Sequence, residues 1–296
     1  MTYRFIQQHQ GDYPIRVMCR VLRVAVSGYY RWCQQPQSQR AQQNQQLVSE
    51  IQIVHQQSRQ RYGSPKIAQA LRQQGICCGR NRIMRLMRQA GLASTRKRCF
   101  KRTTHANVQH RYAPNQLQQC FVATAPNRIW LSDVTFIATQ EGWLYVAAVL
   151  DLFSRRIVGW AMDDHMTDKL TGRALQMALR QRQLQAHQLL HHSDRGSHYT
   201  SADYQQLLAD HHIAVSMSGT GNCYDNAPME SFFAQLKLEE VYHHRYPTRQ
   251  AAITSIFTYI EGFYNTHRLH GALGYRSPLH FEAAFSHKSF AYPPVH

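Results

Sequence analysis

The spacing of apolar residues changes character near residue 127. Before it, apolar positions recur at helical intervals. Ile67, Ala70 and Leu71 share one side of a helix over 65–74, with Ser64 as N-cap, Pro65 in the first helical position and Gly75 as terminator. A second helix over 80–90 sets Ile83, Leu86, Met87 and Ala90 at the i, i+3, i+4 and i+7 positions of one buried face. Further upstream, Pro14 opens a short helix over 14–22 with Val17, Val21 and Leu22 on one side, and Ser27 caps a helix that begins GYYRW. That pair reads equally as a helix-turn-helix or as two helices that only pack on each other. Residues 39–60 are Gln-rich, with Leu47, Val48, Ile51 and Val54 at helical spacing, the mark of a core or helix-pairing surface.

From Asn127 the chain turns to β-branched and aromatic runs. RIWLSDVTFIAT, a turn at Gln140, Glu141 and Gly142, then WLYVAAVLDL and RRIVGWAM predict three strands in succession. A helix over 167–182, a short apolar strand over 189–192, a helix over 202–210, a strand over 214–216 and a helix over 226–239 follow. A β-β-β-α-β series of this kind predicts an α/β unit, a mixed sheet with helices on both faces, behind an all-α region.

With 296 residues and 43% apolar content the chain has room for two domains and a real core, which excludes wholesale disorder. No stretch approaches the roughly 20 apolar residues of a membrane span, and the N-terminus lacks the apolar run of a signal peptide. A soluble, cytoplasmic protein with no membrane partner is expected. Seven cysteines without a C-x-x-C pair indicate neither a disulfide framework nor a zinc knuckle.

Charge separates the chain into two parts. Residues 1–120 carry 20 Lys or Arg against Asp12 and Glu50 alone, while residues 121–296 hold the other 14 bases and 15 acids. A polyanionic partner fits the formal net charge of +17, and binding and chemistry divide between the two parts. On the helix over 80–90, Arg80, Arg82, Arg85 and Arg88 lie outside the apolar face with no acid nearby. Four guanidiniums in a row repel one another unless phosphates neutralise them, which points to DNA. Lys66, on the preceding helix, is assigned with them. Residues 94–112 carry Arg96, Lys97, Arg98, Lys101 and Arg102 with almost no apolar period, a tether that suits a DNA backbone as well as it suits solvent. The expected boundaries are a basic helical DNA-binding region over 1–93, a linker over 94–120, a catalytic core over 121–285 and a tail over 286–296.

Three carboxylates fall at telling places. Asp133 lies inside the first strand among Trp130, Leu131, Val134 and Phe136, where a charge is costly unless paired or metal-bound. Asp194 ends the fourth strand, and Glu230 sits in the first turns of the last predicted helix. If the first and fourth strands are neighbours, both aspartates emerge side by side and the helix delivers Glu230 to the same edge. That gathers hard oxygen ligands suited to Mg²⁺ or Mn²⁺. Asp225 reads as a helix cap, and Asp151 as a strand-end residue.

The motifs around these acids, W-L-S-D-V-T-F-I, H-S-D-R-G-S-H-Y-T-S and G-N-C-Y-D-N-A-P-M-E-S-F-F-A-Q-L-K, resemble the DDE transposases of IS3-type insertion sequences and, more distantly, retroviral integrases. The 35 residues between Asp194 and Glu230 agree with that family. So do Y-G-S-P-K-I-A-Q-A-L near the N-terminus and N-T-H-R-L-H-G-A-L-G-Y-R-S-P-L-H-F near the C-terminus. The resemblance covers almost the whole chain. It implies an RNase H-like core with Asp133, Asp194 and Glu230 holding two magnesium ions, for which manganese substitutes, and cleavage and strand transfer at the ends of a mobile element. Asp133 would bridge the ions. Lys237, seven residues after Glu230 and so on the same helix face, would meet a DNA phosphate.

The implied partners are double-stranded DNA, at terminal repeats and target, a homo-oligomer assembled on it, and the product of an upstream reading frame, since the chain looks like the downstream product alone. A bacterial, nucleoid-associated protein is expected. Two rival readings stand beside this one: a plain nuclease, and a catalytically silent DNA-binding accessory of the element.

Overall fold

The computed structural model describes residues 2–34, 39–94, 113–219 and 223–291. The chain divides into two compact units, Met1–Ser94 and Thr95–His296. Arg96, Lys97, Arg98, Lys101 and Arg102 lie outside the described residues. No described helix is long and apolar enough to cross a membrane.

The first unit is all-α. Helices α1 (Thr2–Gln8), α2 (Ile15–Val21) and α3 (Val26–Gln34) close over Ile6, Met18, Cys19 and Tyr29. The face expected for α2 is corrected here. Val17 and Val21 are exposed, the latter at 73%, while Met18 and Cys19 are buried. The cause is α1, which short polar-rich sequence hid: Ile6 and Tyr29 decide which side of α2 is covered. Pro14 occupies the N-cap position rather than the first turn, and α3 begins at Val26, so Ser27 lies within it.

The second cluster of helices, α4 (Gln39–Gln57), α5 (Ser64–Gln73) and α6 (Arg80–Gln89), buries Leu47, Ile51, Val54, Ile67, Leu71, Ile83, Leu86 and Met87 along the expected apolar faces. Gly63 takes the N-cap of α5, one residue before the Ser64 expected there, and no side chain bonds the helix start. His55 on α4 reaches Ala93 O at 3.2 Å, tying the chain after α6 back to the bundle.

The second unit is built on a five-stranded sheet in the order β3-β2-β1-β4-β5. Strands β1 (Ile129–Thr139), β2 (Gly142–Asp151) and β3 (Ile157–Asp163) form an antiparallel meander, and helix α7 (Asp168–Gln181) crosses to β4 (Leu190–Ser193), which runs parallel to β1. Helices α8 (Ser197–Thr200) and α9 (Ala202–Asp210) lead to β5 (Ala214–Met217), parallel to β4. Helices α10 (Ala227–Glu239), α11 (Arg249–Tyr259) and α12 (Pro278–Ala291) follow. The order and the senses of pairing are those of an RNase H-like core.

From Val146 to Asp151 strand β2 is buried without alternation, which requires cover on both of its faces. Helix α7 packs against β2 and β3, α10 against β1, and α11 against β2. The α7 contact is close enough to demand glycine: a Cβ on Gly159 would stand 2.2 Å from Ala174 O and 2.7 Å from Ala178 N. Helix α12 runs to Ala291, past position 286 at which the expected tail begins.

Among the described residues after Glu239, several fasten the chain to the sheet and to α10 by polar ties. Asn265 accepts from Ile157 N and donates to Ile157 O, both at 3.0 Å, so one amide replaces a strand at the edge of β3. Trp160 Nε1 donates to Glu261 at 2.8 Å. Glu282 on α12 collects Ser154, Arg156 and Arg182. Arg268, almost fully buried, donates to both carboxylate oxygens of Glu239 at the end of α10, with Tyr259 OH on the same carboxylate at 2.9 Å.

Removing one partner of such a pair strands the other charge in a low-dielectric interior. Arg268→Ala is expected to cost on the order of 3–5 kcal/mol, read as a lower denaturant midpoint. A loss within the roughly 1 kcal/mol of an exposed ion pair would contradict that role.

Candidate active site

Strand pairing sets the site. Leu131 pairs with His192 in the parallel β1–β4 ladder, and two residues further along the same register stand Asp133 on β1 and Asp194 just past β4. Asp133 is half-buried by accessible surface yet closely ringed by protein, and one of its oxygens accepts Val134 N–H at 2.8 Å. Asp194 accepts Gly196 N–H at 2.9 Å, which bends the chain away from the strand. A Cβ at Gly196 would lie 2.4 Å from the ring of His198 and 3.0 Å from Asp194, so a larger residue there requires the His198 ring to turn aside.

Glu230 comes from the first turn of α10 and is exposed on the helix. The start of that helix is stitched to β1 beside the first aspartate, for Asn226 Nδ2 donates to Ser132 O at 3.0 Å. Sequence reasoning used Asn226 only as a helix boundary. Its signal was the D-N-A-P-M-E run, in which an amide precedes the acid by one turn. Asp225 is structural: it accepts Gly219 N–H at 2.8 Å, Asn115 at 2.9 Å and Gln119 at 3.1 Å, pinning the segment before the sheet to the approach of α10. Asp151 likewise accepts Asn127, Phe153 and Ser154 N–H groups and shapes the β2–β3 turn.

The electrostatics are those of like charges forced together. Burial first, then the Asp194 charge and the Glu230 charge, push the Asp133 carboxyl up to about 8, against the Val134 N–H and the Lys237 ammonium. Glu230 is raised by the desolvation it does experience. Lys237 is lowered by burial and drawn back up by Asp133. Its Nζ stands 5.1 Å from the centroid of the Phe136 ring. Underneath, His191 is buried against Ser132 Oγ (2.7 Å) and Tyr204 OH (2.9 Å), and burial pushes it down to about 3, so it is a neutral strut.

Among the described residues the one His/Cys/Asp/Glu trio whose ligand atoms all lie within 4.8 Å is Asp163, Asp164 and His165, on the surface. Asp133, Asp194 and Glu230 therefore feel one another without closing that tightly, as unscreened carboxylates do.

Of the expected DNA contacts, Arg80, Arg85 and Arg88 are exposed on α6. Arg82 is the exception: it is half-buried and its Nε donates to Asn44 Oδ1 at 3.0 Å, holding α6 to α4. Lys66 lies with its ammonium 5.1 Å from the Tyr62 ring centroid.

Comparison with known proteins agrees with this division. Residues 123–223 and 211–278 match models described as an integrase core domain, and residues 42–100 match an HTH-like domain. The chain is 46% identical over 268 residues to the insertion element IS600 uncharacterized 31 kDa protein of Shigella sonnei, covering 90% of this chain and 98% of that one. It is 42% identical over 284 residues to transposase InsF for insertion sequence IS3A of Escherichia coli (strain K12), covering 95% and 98%. Among solved structures, the HTLV-2 integrase catalytic core domain in complex with magnesium (dimeric form) is similar at 17% identity and a TM-score of 0.41, covering 54% of this chain and 98% of that one.

The Asp133 shift makes a prediction for the metal-free chain. Folded Asp133 holds its proton up to about pH 8, whereas in an unfolded chain it is lost near 4. Between those limits the folded state binds more protons, so this group costs stability as pH rises. Asp133→Asn, uncharged and nearly isosteric, should be more stable than the parent at pH 8 by on the order of a few kcal/mol and little different at pH 4, by thermal unfolding without divalent ions. A parent chain as stable as the variant at pH 8 would contradict it.

Proposed function

The chain belongs to the IS3-type insertion-sequence transposases, and from that premise we propose that Asp133, Asp194 and Glu230 are the metal-holding acids of its DNA strand-transfer site. Its integrase-type core makes it a polynucleotidyl transferase. The observation that carries the residue assignment is the parallel β1–β4 register, which sets Asp133 beside Asp194, together with the Asn226 tie that holds the start of the Glu230 helix against β1; burial and the two other acids raise the Asp133 carboxyl accordingly. A divalent cation removes that cost, and the donors are hard oxygens, which favour magnesium or manganese. Bound there, two such ions supply Lewis acidity at a scissile phosphate and lower the pKa of an attacking water or DNA 3′-hydroxyl.

The chain's own groups do the rest. Asp133 presents its oxygens from a rigid central strand, Asp194 from the turn that Gly196 permits, and Glu230 from a helix that Asn226 keeps against β1. The Lys237 ammonium, beside Asp133, receives a phosphate of the DNA passing the acids. Arg80, Arg85 and Arg88 on α6, with Lys66, contact DNA phosphates, as does the basic run Arg96, Lys97, Arg98, Lys101 and Arg102. The DNA is assigned as the element's terminal repeats and its target, met in the bacterial cytoplasm at the nucleoid. Assembly as a homo-oligomer on that DNA, with an upstream-frame product of the same element as partner, accords with the family.

One set of variants separates binding from chemistry. With a labelled element end and Mg²⁺ or Mn²⁺, the parent should cleave and join. Asp133→Ala, Asp194→Ala and Glu230→Ala should each reduce joining to background while still shifting DNA. Arg85→Ala with Arg88→Ala should do the reverse, weakening binding by about 1 kcal/mol per lost phosphate contact and reducing the salt slope by about 2. Two acid variants that still join near the parent rate would sink the assignment, and cut ends released without joining would mark a plain nuclease.

A further inference from the structure

The β1–β2 hairpin carries two large aromatic rings into solvent beside the acids. Phe136 is 45% exposed and Trp143 is 50% exposed. In the antiparallel register Phe136 pairs with Tyr145 and Ala138 with Trp143, so the two rings are diagonal neighbours on one face. They meet edge to face, with centroids 5.0 Å apart and planes at 83°. Further down that face the side chains are covered, with Trp130 in the core and Val134 and Tyr145 packed against it. The aromatic pair begins where that cover ends.

Two observations connect the pair to the proposed reaction centre. Phe136 and Asp133 are three residues apart on β1 and so project to opposite faces of the strand, but Lys237, which feels the Asp133 charge, links them by holding its ammonium over the Phe136 ring at 5.1 Å. The Lys237 ammonium therefore joins the acid to the aromatic rings. The hairpin is also fixed in place: Gln140 N–H donates to Tyr246 O at 3.0 Å, Arg249 N–H to Glu141 at 2.7 Å, and Arg249 Nε to Trp143 O at 3.1 Å. A rigid ring pair loses little entropy when a flat partner lands on it, and the cations beside it, Lys237 and Arg249, suit a polyanion.

We propose that Phe136 and Trp143 form a stacking platform for a DNA base that leaves the duplex next to the phosphate held by the acids. This rests on the strand-transfer reading and deepens it by naming what happens to the base at the reacting end. A base offers a π-face whatever its identity, so the platform accepts any unpaired terminal nucleotide, and Lys237 holds its phosphate while the ring holds the base. Opening the last pair in this way makes room for the acids at the strand end.

The test places 2-aminopurine at the terminal nucleotide of a labelled element end and follows its fluorescence on binding, in parallel with joining in Mg²⁺. The parent chain should change the 2-aminopurine signal. Trp143→Ala, folded with an unchanged unfolding midpoint because the ring is exposed, should lose that change and join fully paired ends about tenfold more slowly. Ends made with a mismatched last pair should recover most of that loss, and Trp143→Phe should keep most of the activity. Equal joining of paired and mismatched ends by Trp143→Ala at the parent rate would overturn the proposal. So would an unchanged 2-aminopurine signal in the variant accompanied by a change in oligomeric mass, which would make the pair a contact between copies. A parent that perturbs 2-aminopurine but never joins ends would instead fail the strand-transfer reading and leave the platform standing.

Discussion

Parallel pairing of β1 with β4 sets two aspartates at adjacent positions of a central strand pair, where burial first and the neighbouring charge second penalise ionisation of Asp133. Two carboxylates in a partly desolvated setting cannot both ionise cheaply, and a third acid on α10 makes matters worse. A fold whose stability alone mattered would place apolar residues at these points. On the proposed reading the cost is tolerated because hard oxygen donors gathered in this way suit divalent cations, which a phosphate-handling site uses.

Holding such a site together falls to ties that are not themselves acidic ligands. Asn226 joins α10 to the strand residue before Asp133. Asp225 anchors the segments on either side of that junction. At the other end of α10, Glu239 is locked by Arg268 and Tyr259, and Asn265 clamps the edge of β3. The helix carrying Glu230 is thus fixed at both ends by buried polar contacts, which resist displacement by the neighbouring negative charge. The chain after Glu239 has this mechanical role in the unit. Its N-T-H-R-L-H run is a set of fasteners in which Asn265 and Arg268 face inward and Thr266 and His267 face out.

Much of this was legible in the chain. The strands around Asp133 and Asp194 were plain because β-branched and aromatic runs between turn residues have few other solutions, while the pairing of the first strand with the fourth stayed a condition that only the sheet itself supplies. Helices α5 and α6 were equally plain from Ile67, Leu71, Ile83 and Leu86. Less could be read where burial is decided by distant partners. The covered side of α2 depends on Ile6 and Tyr29 from other helices, so Val17 and Val21 looked inward on periodicity alone and are not. Arg82 looked like its three neighbours but bonds Asn44, because a polar partner on another helix leaves no trace in local spacing. Helices α11 and α12 escaped for a related reason: with Tyr259, Ile260, Phe263 and Tyr264 all buried and Glu282 inside an ion-pair network, no amphipathic stripe marks them.

The protonation of Asp133 measures the central constraint most directly. The carboxyl carbon of Asp133, assigned by its loss in Asp133→Asn, can be followed by NMR through a pH titration with and without Mg²⁺. Burial, with the neighbouring acids, predicts a midpoint near 8 in the metal-free chain and a fall of several units once magnesium is added. A midpoint near the ordinary 4 of a solvated aspartate, unmoved by magnesium, would contradict the claim that these carboxylates form one cation-demanding site.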